Sequence, residues 1–183
     1  ACSQIEAWRK AYPGADWTMS VNLSGRQLQE SDLIHEARKA LVVSGVDPSA
    51  LVLEITESVL MQQADSAQQQ LRALKSLGVG LAIDDFGTGF SSLSYLKKFD
   101  IDYLKIDRCF ISHLMEDKND MALTEAIIVM AHKLGLKTIA EGVETEGQRD
   151  MLLGFGCDYV QGYLYSRPVP ANEFEALLQM NHS

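Results

Sequence analysis

The chain has 183 residues, 46% of them apolar and 22% charged, with a net charge of −9. That length and balance fit a globular domain with room for a core; no apolar run approaches the ~20 residues of a membrane span, and no basic segment leading into an apolar stretch marks a secretory signal. The acidic balance argues against long nucleic acid, which takes a basic face, and three cysteines with no Cys-x-x-Cys spacing argue against a disulfide framework or zinc–thiolate site and fit a reducing cytoplasm.

Short apolar runs alternate with longer helical stretches. Ala1 to Lys10 reads as an amphipathic helix with Ile5 and Trp8 at helical spacing, so the chain opens inside a helix. Strands are predicted at Thr18–Leu23, Leu51–Ile55, Val79–Ile83, Tyr103–Ile106, Thr138–Ala140 and Tyr159–Val160. Between them, helical patterns run from Ser58 to Leu77, closed by Gly78, from Asp120 to Leu134, closed by Gly135, from Glu146 to Phe155 and from Ala171 to Met180. Six β-α units imply a parallel sheet with helical crossovers.

The count alone leaves an open doubly wound sheet and a closed barrel in play. Polar residues decide between them. Asn22, Glu54, Asp84 with Asp85, Lys105, Glu141 and Gln161 stand at or beside the ends of the six strands. In a (β/α)8 barrel those ends converge on one face, where active sites sit, whereas an open sheet would spread them along an edge. A TIM-type (β/α)8 barrel is therefore expected. A full barrel takes eight strands and ~250 residues, so residues 1–183 are expected to be one domain lacking its N-terminal strands.

Asp84 and Asp85 offer two hard oxygen ligands at one strand end. Side chains alternate along a strand, but where the strand opens into a loop both can reach a shared site. Two cations held ~3.5–4 Å apart clamp a phosphodiester for in-line attack by water, and bound cations reconcile an acidic pocket with a small anionic substrate. Phe86, Gly87, Thr88, Gly89, Phe90, Ser91 and Ser92 follow as a glycine-bearing loop. The competing reading of Asp85 is a helix cap. Glu54 sits in an apolar strand, where an unpaired carboxylate is costly; a metal or a salt bridge would satisfy it. Glu57 suits a supporting role or the start of a helix. Asn22 is a neutral ligand for a hard cation or a turn former. Lys105, flanked by apolar residues, orients or helps deprotonate the attacking water, or pairs with Asp84 or Asp107. Glu141 is placed as a ligand, Glu144 as its support, and Gln161 either as an amide at the site or as a structural hydrogen bond. The histidines stand at no strand end, with His132 inside a helix, and carry no catalytic role.

Together these residues resemble the EAL-domain cyclic di-GMP phosphodiesterases over essentially the whole chain. The most specific stretch is Ile83 to Leu93, followed by Leu104-Lys105-Ile106-Asp107, Ala140-Glu141-Gly142-Val143-Glu144, and Gln161-Gly162-Tyr163-Leu164 with Ser166-Arg167-Pro168. The resemblance implies hydrolysis of cyclic di-GMP to linear pGpG with two Mg2+ or Mn2+ ions, calcium being inhibitory. It implies that Asn22, Glu54 and Asp84 hold the first ion, that Asp84 bridges to the second, and that Asp85 and Glu141 complete the second. Lys105 contacts the attacking water, Gln161 supports the site, and Glu57 steadies the loop after Asp85, which couples homodimerisation to activity. It also implies a cytoplasmic location, alone or as the cytoplasmic part of a membrane-anchored sensor, with an upstream diguanylate-cyclase-like or sensory domain.

The Glu-Ala-Leu signature that names the family belongs on an early strand, and its glutamate binds the first ion while a nearby arginine holds the substrate phosphate. The signature is expected to precede Ala1; the Glu175–Leu177 triplet lies in the last helix and is a coincidence. The chain alone is accordingly expected to bind metal poorly and hydrolyse little. Two other readings stand beside the enzyme: a catalytically silent cyclic di-GMP receptor, and a barrel aldolase or lyase with Lys105 as a Schiff-base lysine, which the carboxylates around Lys105 disfavour.

Overall fold

The structure is a computed structural model that describes residues 1–62, 64–89, 96 and 98–180. Six strands run β1 (Met19–Asn22), β2 (Leu51–Thr56), β3 (Gly80–Phe86), β4 (Tyr103–Ile106), β5 (Lys137–Glu141) and β6 (Tyr159–Gln161). They form one sheet in the order β1-β2-β3-β4-β5-β6, and every neighbouring pair is parallel. Strand order never reverses, as it must at the switch point of a doubly wound sheet. The sheet is a half-barrel with β1 and β6 as its two edges.

Around it lie α1 (Cys2–Ala11), α2 (Gly25–Leu28), α3 (Leu33–Ser44), α4 (Glu57–Gln62), α5 (Ala64–Lys75), α6 (Arg108–Ser112), α7 (Lys118–Lys133), α8 (Glu146–Gly154) and α9 (Ala171–Met180). The stretch expected as one helix from Ser58 to Leu77 is described as α4 and α5 on either side of residue 63. Three helices were not anticipated: α2, α3 and α6. Two of them start on side-chain caps, Ser24 in a reciprocal capping box with Gln27 and Asp107 accepting from the Cys109 amide. α8 begins the same way, with Thr145 and Gln148.

The two faces of the sheet differ in chemistry because side chains alternate. Leu53, Ile55, Leu81, Ile83, Leu104, Ile106 and Ala140 face the helices and join the main apolar core with Leu71, Leu74, Ile111 and Ile128. The intervening positions, Glu54, Lys105 and Glu141, lie on the opposite, concave face. Glu54 and Lys105 are nonetheless buried, so that face carries charge in a place where charge must be paired. β2, β3, β5 and β6 each run at least one residue further toward their C-terminal end than expected, whereas β1 is one residue shorter at each end. The Asp pair therefore lies inside β3 rather than after it, and Glu141 and Gln161 are the last residues of their strands.

Candidate metal centre

β3 departs from regular pairing where the site begins. Its register with β4 shifts between Ile83 and Phe86, the signature of a bulge. Within it Asp85 has φ 54, the left-handed conformation that a non-glycine residue rarely adopts. The bulge and the left-handed turn answer the alternation problem: two adjacent carboxylates reach the same site because the backbone between them is not a regular strand. Asp84 Oδ1 accepts the Asp85 amide at 3.0 Å, and Thr88 returns its hydroxyl to the Asp85 carbonyl at 2.9 Å. Single ligand oxygens from Asp84, Asp85 and Glu141 lie within 4.8 Å of one another.

Lys105 stands at the centre. Its Nζ donates to Glu54 at 2.7 Å, to Asp84 at 2.9 Å and to Glu141 at 2.7 Å. Burial works against the ammonium, but hydrogen bonds to Glu141, Glu54 and Asp84 outweigh it and hold Lys105 above the ordinary lysine range. The sequence reading paired it with Asp84 or Asp107; the Asp84 pair is present, whereas Asp107 caps α6 through the Cys109 amide at 2.8 Å. Burial opposes ionisation of Asp107, yet its bonds from Cys109 keep its pKa lowered.

The carboxylates carry the reverse signature. Burial, then the charges of Asp84 and Asp107, raise Asp85. Burial raises Glu141, with Asp84 and Glu54 adding to it and Lys105 only partly offsetting. Four carboxylates, Glu54, Asp84, Asp85 and Glu141, meet one ammonium. Such an excess of hard oxygen anions suits a divalent cation of the magnesium, manganese or calcium kind, so the residues fit the group.

The remaining candidates fall in different places. Asn22 ends the edge strand in register with Glu54, but its side chain is exposed. Glu57 is buried at the start of α4 and accepts the Gly87 amide at 2.9 Å. Gly89 lies against the same carboxylate, where a Cβ would stand 3.4 Å from Glu57 Oε1. Phe86 is buried in the core. Phe90, Ser91, Ser92 and Leu93 lie outside the described residues, as does His182. Glu144 and Gln161 join Asp85, Asp107 and Glu141 in the lining of a cavity of 450 Å3. Arg108 and Tyr163 belong to that lining too, and the sequence reading gave neither of them a role. Arg108 packs so closely under Gly142 that a Cβ there would meet its own at 2.6 Å. Tyr163 is half-exposed at the rim. Arg108 follows Asp107 directly, and the strand-to-cap transition at Ile106-Asp107 is the signal that could have found it. His132 is in the last turn of α7 and bonds Asp158 at 2.8 Å rather than joining the site. Glu175 of the late Glu-Ala-Leu triplet accepts the Trp8 indole at 2.8 Å and takes no part in the cluster.

The fold and this cluster define a class, the parallel α/β half-barrels with a carboxylate-rich cluster around a lysine at the strand ends. The EAL-domain family model matches residues 1–168, and the chain belongs to the EAL-domain family. Among curated relatives, the bifunctional diguanylate cyclase/cyclic di-GMP phosphodiesterase MucR of Pseudomonas aeruginosa is 46% identical over 176 residues, covering 96% of this chain and 26% of MucR. The cyclic di-GMP phosphodiesterase NbdA of the same organism is 45% identical over 161 residues, covering 88% of this chain and 21% of NbdA. The chain thus spans about a quarter of the length of these relatives. The solved MucR phosphodiesterase in complex with c-di-GMP superimposes with a TM-score of 0.90 at 45% identity, covering 95% of this chain and 70% of that one. Klebsiella pneumoniae BlrP1 in a manganese/cy-diGMP complex superimposes with a TM-score of 0.81 at 29% identity, covering 91% and 43%.

Proposed function

We propose that this chain carries the cation centre of a cyclic di-GMP phosphodiesterase that opens the cyclic dinucleotide to linear pGpG. The observation that carries the reading is the convergence of Asp84, Asp85 and Glu141 around Lys105, in a chain 46% identical to MucR. Asn22, Glu54 and Asp84 would hold one divalent ion and Asp84, Asp85 and Glu141 a second, Mg2+ or Mn2+, with Ca2+ binding unproductively. When bound, the ions supply charge neutralisation at the phosphodiester oxygens and activation of water.

The chain's own residues do the rest. Lys105, kept as an ammonium by its carboxylate partners, serves as a hydrogen-bond donor to the incoming water or the phosphoryl oxygen rather than as a base. Asp84 fixes the turn at Asp85 by accepting its amide, which sets the spacing of the two carboxylates. Glu57 ties Gly87 to α4 and so positions the loop leading out of the site. Residues 1–183 act in this reading as one partial EAL unit of a cytoplasmic protein. The unit works with an upstream cyclase-like or sensory domain and pairs as a homodimer through the segment after Asp85.

The test is turnover by the full-length protein that contains residues 1–183. The chelator-stripped protein should be silent, and Mg2+ or Mn2+ should restore conversion of cyclic di-GMP to pGpG, resolved by chromatography. Tight binding with no product under either ion would identify a receptor instead.

A further inference from the structure

The walls of the 450 Å3 cavity come from different strand exits. Arg108 and Ser112 belong to α6, which follows β4, whereas Glu141, Gly142 and Glu144 leave the end of β5. Gly142 stands between the two glutamates with φ 73, so the chain turns sharply as it leaves the strand. A turning segment of this kind holds its carboxylates in place only if something anchors it. The anchor is a side chain that does not line the cavity.

Gln148 is buried in the first turn of α8. Its Oε1 accepts the Glu144 amide at 2.9 Å and the Thr145 amide at 3.0 Å, and its Nε2 donates to the Ile111 carbonyl of α6 at 3.0 Å. The Thr145 bond belongs to the capping box that opens α8, in which Thr145 Oγ1 accepts the Gln148 amide at 3.2 Å. A capping box needs only an acceptor at this position, and glutamate serves there as well as glutamine. The Ile111 bond needs the side-chain amide, because a carboxylate has no proton to offer a carbonyl. Nor does Ile111 lack a donor, for the Leu114 amide reaches the same oxygen at 3.2 Å. The bond therefore serves neither the cap nor an unmet carbonyl. It locks the segment after β5 to α6, the same two walls that meet where a Cβ on Gly142 would stand 2.6 Å from the Arg108 Cβ.

We propose that Gln148 is a positioning residue for the hydrolysis. By bonding Glu144 and Ile111 at once, it sets the width of the cavity between Arg108 on one wall and Glu141 with Glu144 on the other. The inference rests on the phosphodiesterase reading and adds to it a residue outside the cavity that acts through its amide and not through its bulk. A misplacement of about 1 Å can cost on the order of a hundredfold in rate, and a spacing held by one buried side chain is open to a loss of that kind.

The full-length protein that contains residues 1–183 is assayed in Mn2+ for conversion of cyclic di-GMP to pGpG, with rates normalised to the folded fraction. Gln148→Glu keeps both acceptor bonds and loses the donor, whereas Gln148→Met keeps the volume and loses all of them. Each should lower kcat about tenfold with KM unchanged, the pattern of an interaction that counts only in the transition state. Thr145→Ala opens the same capping box from its other side and leaves the bonds of the Gln148 side chain in place. It should lower the unfolding midpoint by about 2–4 °C with kcat unchanged, which separates the lock from the cap. Unaltered kcat in either Gln148 variant, or an equal loss of kcat in Thr145→Ala, overturns the positioning role and leaves the phosphodiesterase reading standing. Absence of pGpG from the unaltered protein overturns that reading and the positioning role with it.

Discussion

Replacing Lys105 with methionine would leave Glu54, Asp84 and Glu141 facing one another with no cation between them. All three now bond its ammonium at 2.7–2.9 Å, and Lys105 and Glu54 are almost fully buried. Breaking a buried ionic cluster by removing one partner costs about 3–5 kcal/mol, and urea unfolding of Lys105→Met in chelator should show a loss of that order. Added Mn2+ should recover more stability in the variant than in the parent, because the ion supplies the charge that was removed. The pH dependence of the cluster has a definite sign. The folded pKa of Lys105 is raised above 10.5, so its contribution is fully present below that value and is lost as pH rises through the folded one. Unfolding followed between pH 8 and 12 should show the parent losing stability above pH 10.5 and Lys105→Met lacking that step. At this scale the side chains that come together were largely legible. Glu54 and Lys105 are charges within apolar runs, and Asp84-Asp85 stands where an apolar run stops. What was not legible is the left-handed backbone of Asp85. Nothing in an Asp-Asp pair signals a positive φ, which here arises from a bulge made by strand pairing.

The segment that leaves β3 is the element most exposed to backbone chemistry. Gly87 has φ 96, and a Cβ there would stand 2.6 Å from the ring of Phe110. Gly87→Ala therefore adds left-handed strain to a steric overlap, and a loss of about 1–3 kcal/mol is expected in thermal or chemical unfolding. Glu57→Ala removes the acceptor of the Gly87 amide and should weaken Mn2+ binding with a smaller effect on stability, measured by calorimetric titration. A second junction, between α7 and β5, depends on Asp158. It accepts the Thr138 amide at 2.8 Å and pairs with His132. Burial works against its ionisation, but the Thr138 and His132 bonds prevail and lower its pKa. A depressed carboxylate stabilises above its unfolded pKa of about 3.9, and that share is lost as pH falls through the folded value. Asp158→Asn should consequently flatten the acid limb of the unfolding midpoint below about pH 4 while leaving the neutral region lower throughout. Helix existence was readable in α7, but not in the twelve-residue α3, of which Leu41 alone is buried. The short α2 and α6 carry too few residues for periodicity to register; their signal lies in the caps, Ser24 and Asp107, and not in apolar spacing.

Across the whole molecule, strand order was the fact that composition could not reveal. Six β-α units are compatible with both architectures, and only the argument from convergent polar ends separated them. That argument rested on polar residues at or beside the strand ends, and the structure adds that Glu54, Lys105 and Glu141 share one concave face, opposite the Leu53, Leu104 and Ala140 face that meets the helices. The same division explains how a half-barrel buries charge: the ammonium and its carboxylates satisfy one another where an apolar layer would otherwise be required. The central claim is that Asp84 organises a cation-dependent phosphodiesterase. It is tested most directly by the rate of cyclic di-GMP cleavage in Mn2+, compared between protein carrying residues 1–183 and its Asp84→Asn variant. With both proteins assayed at full length, the account predicts pGpG from the former and a rate on the order of a hundredfold lower or more in the latter, since a metal centre supplies several kcal/mol to the transition state. Equal rates in the two proteins would contradict it.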